Sequence, residues 1–177
     1  MPEPRDRDGG FATILRIIVD QQISVHAGAA IWKRLSDRLG DVTAERVLAV
    51  RQPTLQKCGL SGSKIKYARN LAQAIKSGSL DLDALQDMSD EEVIKALTAI
   101  KGIGVWTAEI YLMFAMGRRD VMPAGDLALA VSAQRLLGLD ERPKPAELRE
   151  IAERWRPRRT AAAVMLWKYY RVAPLSD

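Results

Sequence analysis

Apolar positions recur at helical spacing along almost the whole chain. Phe11, Ile14, Leu15 and Ile18 fall at i, i+3, i+4 and i+7 and predict a first amphipathic helix within about residues 10–24. Ser24 is placed to cap a second helix with Ala27, Ala30, Ile31 and Leu35 on one face, and Gly40 stands where a left-handed C-terminal cap is expected. Thr43 opens a short helix through Val50, Pro53 starts another that ends at Gly59, and Ser61 begins a longer one that ends at Gly78. Ser89 and Glu92 have capping-box spacing, ahead of the stripe Val93, Leu97 and Ile100. The run Val105 to Met116 is so apolar that it predicts a helix in the domain centre. Helices from about Asp126 to Leu137, from Pro145 to Trp155 and from Arg158 to Arg171 bring the count to about ten, with Pro157 separating the last two. No segment alternates apolar and polar residues between hairpin turns, so the fold expected is all-α.

Composition narrows the class. A chain of 177 residues buries enough surface to hold a core without staples, and residues 1–177 are expected to form a single domain. The lone Cys58 excludes an internal disulfide, a four-thiolate iron–sulfur cluster and a structural zinc site, and a reducing, cytoplasmic setting fits it best. Cys58 itself is expected as a small buried hydrophobe. No apolar run approaches the roughly 20 residues of a membrane span, and the start MPEPRDRDGG is too polar for a secretory signal. A net charge of +5, from 27 Lys and Arg against 22 Asp and Glu, is compatible with a polyanionic partner. With one histidine, His26, His-built metal clusters and His-dependent triads are set aside.

Two segments carry candidate chemistry. In Ile100-Lys101-Gly102-Ile103-Gly104-Val105-Trp106-Thr107, two glycines separate a capped helix from the next, which lets the backbone turn tightly and points amides outward at a helix start. Such a terminus attracts phosphate, although the same glycines also serve a plain helix–helix connection. Twenty residues after Trp106, Pro123-Ala124-Gly125-Asp126 puts a carboxylate at another helix start. It is either a cap or a fixed anion able to stabilise a developing cation.

Together these segments resemble the helix-hairpin-helix GPD superfamily of DNA glycosylases, and most of all its bacterial 3-methyladenine DNA glycosylase II branch. Asp20-Gln21-Gln22-Ile23-Ser24, the hairpin with Thr107-Ala108, Pro123 to Leu127, and Glu153 to Pro157 followed by Trp167 come in the family's order and spacing. The resemblance implies two helical subdomains flanking a cleft: a central one over about residues 25–125, and the first helix packed with the C-terminal helices of about 126–177. It implies a monomer acting on double-stranded DNA with a damaged base, with no cofactor and no membrane. Asp126 is the catalytic carboxylate by this match. Trp106, Trp167, Gln21 and Ser24 form the base pocket, and Gln22 is the wedge that fills the emptied stack. Lys101, Gly102, Ile103, Gly104, Val105 and Thr107 are expected at DNA phosphates, with Lys64, Arg158 and Arg159 from the basic set. The carbonyls of Thr98, Ile100 and Ile103 are those that could hold a monovalent cation.

Trp106 stands where the family's lyase-competent branches carry a lysine nucleophile, which implies a monofunctional enzyme. Asp20 departs from the small residue common in relatives, and Ile110 and Leu127 replace pocket aromatics. The implied activity is excision of alkylated purines of the 3-methyladenine type. A non-catalytic helix-hairpin-helix module for damaged or distorted DNA is the alternative, which keeps Gly102 and Gly104 but needs no acid at Asp126, and a helical protein-interaction domain is the third, which needs neither the hairpin amides nor the basic set.

Overall fold

The computed structural model describes residues 10–172; the polar start expected to lack a signal lies largely outside them. The described residues form ten α-helices and two short 3-10 turns, with no strand among them. The helices are α1 (Phe11–Asp20), α2 (Val25–Leu39), α3 (Ala44–Ala49), α4 (Gln52–Lys57), α5 (Gly62–Lys76), α6 (Asp90–Thr98), α7 (Val105–Phe114), α8 (Leu127–Leu137), α9 (Pro145–Ala152) and α10 (Arg159–Val172). None of the described helices is long and apolar enough to cross a membrane.

The helix starts are where capping chemistry places them. Ser24, Thr43 and Ser61 each accept a backbone amide at the start of α2, α3 and α5, and Ser89 with Glu92 closes a capping box on α6. Each such cap is worth about 1 kcal/mol, so together they set the helix boundaries that packing then reinforces.

Packing corrects one expectation. The main partners of α1 are α2, α5 and α7 rather than the C-terminal helices, which instead pack on one another through α8 and α10. The reason lies in α1 itself: Phe11, Ile14, Leu15, Ile17, Ile18 and Val19 are buried along with Thr13, so a broad apolar face sets it at the centre while Arg16 and Asp20 keep one polar edge. Its C-terminal end is closed by Lys64, whose ammonium donates to the carbonyls of Val19 and Gln21, both at 2.8 Å. Burial lowers the pKa of that lysine, and the nearby Asp20 charge partly opposes this.

The turn between α6 and α7 is fastened to α5. Gly102 adopts φ +108°, and a Cβ there would lie 2.1 Å from Cδ1 of Tyr67, so the bare backbone rests on the Tyr67 ring. Asn70 donates to the Lys101 carbonyl at 2.9 Å, and Ile103 inserts into the core at 4% exposure. On the other side, Ser132 of α8 donates to the Leu166 carbonyl of α10 at 2.9 Å.

α7 also carries a buried carboxylate, Glu109, 2% exposed, paired to Arg149 of α9 at 2.8 Å, with Oε2 lacking a hydrogen-bond partner. Desolvation pushes its pKa up, against the opposing pull of Arg149. A raised folded-state pKa means that its contribution to stability is fully present below the unfolded value and is lost as pH rises through the folded one. Glu109→Gln removes that titration. The stability difference between variant and wild type is therefore expected to shift in the variant's favour as pH rises above the ordinary carboxylate range, as read by denaturant titration; a pH-independent difference would contradict the assignment.

Candidate active site

Asp126 begins α8 as its N-cap. Its Oδ1 accepts the backbone amides of Ala128 at 2.9 Å and Leu129 at 3.1 Å, together with the indole N–H of Trp167 at 3.1 Å. Oδ2 accepts the indole N–H of Trp106 at 3.0 Å. Four donors from three elements thus converge on one carboxylate, and in each contact the carboxylate is the acceptor. The helix start supplies a favourable dipole for the anion, and the two indoles fix its plane. A simple N-cap uses only the first two donors. The indole bonds are the added feature.

The carboxylate lines a cavity of about 320 Å³ between α1, the α1–α2 loop, α7 and α10. That is the size range of a small-molecule pocket. Trp106, Ile110 and Phe114 share one face of α7 at i, i+4 and i+8 and form one wall. Phe114 stacks on Trp167, with ring centroids 6.0 Å apart and planes 28° apart, so the aromatic wall continues onto α10. Ile23 lines the cavity from the loop and Val25 from the start of α2, and Lys168 and Arg171 line it from α10.

The structure brings together Asp126, Trp106 and Trp167. Several other residues expected at the site are held in contacts of their own. Gln21 does not line the cavity: its amide donates to the Thr107 hydroxyl at 2.8 Å, tying the end of α1 to α7. Ser24 is likewise absent from the lining and caps α2 by accepting from Ala27 at 3.2 Å. The Thr107 side chain is 2% exposed, because its place on α7 turns it into the core, so any phosphate contact from it is made by its backbone. Lys64 serves as the α1 cap described above. Arg159 is bound to both oxygens of Asp120, at 2.9 and 3.0 Å, and to Glu153 at 3.0 Å, so it ties α10 to the loop before α8 rather than facing DNA. The Arg159 guanidinium in turn holds the Asp120 carboxyl below its usual pKa.

Lys101, Gly104, Val105 and Arg158 remain exposed, and Gly102 is half-buried on Tyr67. Ile103 is the hairpin's buried anchor, so any phosphate contact from it is made by its backbone. Gln22 is exposed and adopts φ +56°, a left-handed conformation that costs a non-glycine residue about 1 kcal/mol or more. In the hairpin, the Ile100 carbonyl accepts the Ile103 amide at 3.0 Å and keeps a second lone pair. Among the described residues no cluster of His, Cys, Asp or Glu side chains is arranged to hold a metal ion. Cys58 is buried, and burial raises its thiol pKa.

Sequence reasoning missed Phe114 and Arg16, and on α10 Val164, Lys168 and Arg171, as parts of the cavity lining. The first could have been found from its spacing to Trp106 and Ile110. The others depend on how α1 and α10 face one another.

An all-helical fold with a hairpin on a helix start and a capping carboxylate in an aromatic cavity defines a recognisable class. The chain belongs to the HhH-GPD superfamily of base excision DNA repair proteins, whose family model matches residues 15–158. Among its relatives, the DNA-3-methyladenine glycosylase 1 of Schizosaccharomyces pombe is 34% identical over 167 residues, covering 92% of this chain and 73% of that protein. The alkylbase DNA glycosidase-like protein mag2 of the same organism is 30% identical over 170 residues, 93% of this chain and 80% of that one. The solved structure of the S. pombe 3-methyladenine DNA glycosylase Mag1 in complex with abasic DNA superposes with a TM-score of 0.90 at 32% identity, covering 100% of this chain and 88% of that one.

Proposed function

We propose that this protein is a monofunctional DNA glycosylase that takes an alkylated purine of the 3-methyladenine type out of duplex DNA and hydrolyses its N-glycosidic bond with Asp126. The observation that carries this reading is the four-donor anchoring of the Asp126 carboxylate in the wall of an aromatic cavity. The similarity to 3-methyladenine glycosylases over nearly the whole chain supports it.

The chemistry runs as follows. Extruding a base costs a few kcal/mol, least for a damaged pair. An N-alkylated purine is already cationic, so the electron pair of the C1′–N bond departs with it and leaves a neutral base. The sugar passes through an oxocarbenium-like state, which the fixed anion of Asp126 stabilises without reorganising. Water adds to C1′, and its proton passes to Asp126. Stacking and cation–π attraction to Trp106, Trp167 and Phe114 favour an electron-deficient base by about 0.5–2 kcal/mol each.

The remaining parts hold DNA. The amides at the start of α7, reached past Gly104 and Val105, take a phosphate, with Lys101 and Arg158 contributing charge. The carbonyls of Thr98, Ile100 and Ile103 are the atoms that would hold a monovalent cation beside it. Gln22, strained and exposed at the end of α1, is the wedge.

The test is release of free base from methylated duplex DNA. We expect free methylpurine to appear while the strands stay intact until alkali, and borohydride to trap no protein–DNA adduct. Strand breaks before alkali, with a trapped adduct mapping to Lys168 in the cavity wall, would replace the monofunctional assignment by a lyase. No base release with retained binding to abasic DNA would make the protein a binding module.

A further inference from the structure

We propose that Arg16 and Asp20 form a polar pair that reads the hydrogen-bonding edge of the extruded base and so sets which lesions the cavity accepts. The inference rests on the reading of the cavity as a base pocket and names residues within it. Both side chains line the cavity that Asp126 lines. They lie one turn apart on α1, and Nε of Arg16 donates to Oδ2 of Asp20 at 2.9 Å.

The pair is held in place from both ends. The Arg16 guanidinium carbon lies 5.4 Å from the centroid of Trp32 of α2, within cation–π range. Oδ1 of Asp20 lies against Gly28 of α2, where a Cβ would come within 2.1 Å of it. Any larger residue at position 28 would drive the carboxylate out. Oδ1 is buried and has no hydrogen-bond partner. The Arg16 and Asp20 side chains are only 18% and 30% exposed, respectively.

A half-buried ion pair with an unpaired oxygen is a costly way to brace a helix that its broad apolar face already anchors. What it supplies is chemistry. Oδ2 of Asp20 keeps a lone pair beyond its bond from Arg16 Nε, and the guanidinium carries further N–H donors, so the pair can offer an acceptor beside a donor on the α1 side of the cavity, next to Ile17 and Ile23 and away from Asp126.

That arrangement complements a base whose edge carries an acceptor next to an N–H donor. 3-Methyladenine presents N1 and its exocyclic amine in this way, and 7-methylguanine presents O6 and N1–H. 1,N6-Ethenoadenine, in which the same two positions are bridged, offers no donor and would leave Asp20 unpaired. Sites that hydrogen-bond a substrate reject analogues lacking the group because their own polar atoms are then stranded. One such two-bond contact corresponds to a preference of about tenfold to a hundredfold.

The test uses the full chain and the quenching of indole fluorescence by free base, since Trp106 and Trp167 line the cavity, alongside single-turnover excision from duplexes carrying each lesion. Wild type is expected to bind 3-methyladenine about tenfold to a hundredfold more tightly than 1,N6-ethenoadenine. Asp20→Asn should bring the ratio to within about threefold. Gly28→Ala, which displaces the carboxylate without changing charge, should do the same and guards against a folding artefact in the first variant. Equal binding of the two bases by wild type, or an unchanged ratio in both variants, would overturn the proposal and leave the pair as a brace between α1 and α2. If the binding ratios behave as stated but no duplex loses its base, the glycosylase reading fails and the base-reading pair stands.

Discussion

Asp126→Asn is expected to lower single-turnover base release by about 10²–10⁴-fold while leaving affinity for abasic duplex within a few-fold of wild type. Asn is as good an N-cap as Asp, so the amides of Ala128 and Leu129 keep their acceptor and α8 keeps its start. The amide oxygen can also keep the Trp167 indole. Its NH2 group then faces the Trp106 N–H, donor against donor, and that lost bond should cost about 1–3 kcal/mol of stability. The variant thus stays folded and removes the negative charge at the proposed site of bond cleavage. Activity within tenfold of wild type would reduce Asp126 to a helix cap.

Gly102→Ala should produce the largest structural effect of any single methyl added to the hairpin. Two penalties coincide there: φ +108° is a conformation that L side chains rarely adopt, and the new Cβ would stand 2.1 and 2.2 Å from ring atoms of Tyr67. The strain and overpacking together cost about 2–5 kcal/mol, or roughly 5–15 °C in Tm for a chain of this size. DNA affinity should fall with it, by about tenfold or more, because the amides at the start of α7 shift with the turn. Gly104→Ala is the matched control. Position 104 has an ordinary φ of −92° and open space around its missing Cβ, so the free protein should be undisturbed. A Tm loss at position 104 but not at 102 would contradict this account of the turn.

Much of the architecture was legible because it is written in local chemistry. Ser24, Thr43, Ser61 and Ser89 mark helix starts by residue type alone, and Gly102 and Gly104 mark the hairpin. Asp126 is visible as an acid at a helix start, and its role as catalytic carboxylate is what the family pattern implies. What was not legible depends on long-range packing. Lys64 looks like a free surface cation, yet it spans 45 residues to cap α1. Gln21 and Thr107 satisfy one another across 86 residues, a pairing that no local spacing shows. Arg159 is similarly claimed by Asp120, 39 residues away. Long polar side chains reach several ångströms and take whichever partner packing offers, so their assignment from sequence is weaker than that of a cap or a turn.

The same contrast explains the pocket. The face of α7 follows from helical periodicity, but the opposing wall exists only because α1 lies centrally and α10 packs on α8. Trp106 and Trp167 were expected to offer aromatic faces to a base. They also act through their edges, as donors to the carboxylate, a role no spacing rule predicts.

The account's central claim is that Asp126 stabilises positive charge developing on the sugar, and tight binding of a transition-state mimic is its most direct signature. The measurement is the affinity of wild type and Asp126→Asn for two duplexes that differ at one abasic position, one carrying a cationic pyrrolidine and the other a neutral tetrahydrofuran. The account predicts that wild type prefers the cationic duplex by about tenfold or more and that Asp126→Asn loses that preference while still binding the neutral duplex. Equal affinities of wild type for both duplexes, or a preference that survives in Asp126→Asn, would contradict it.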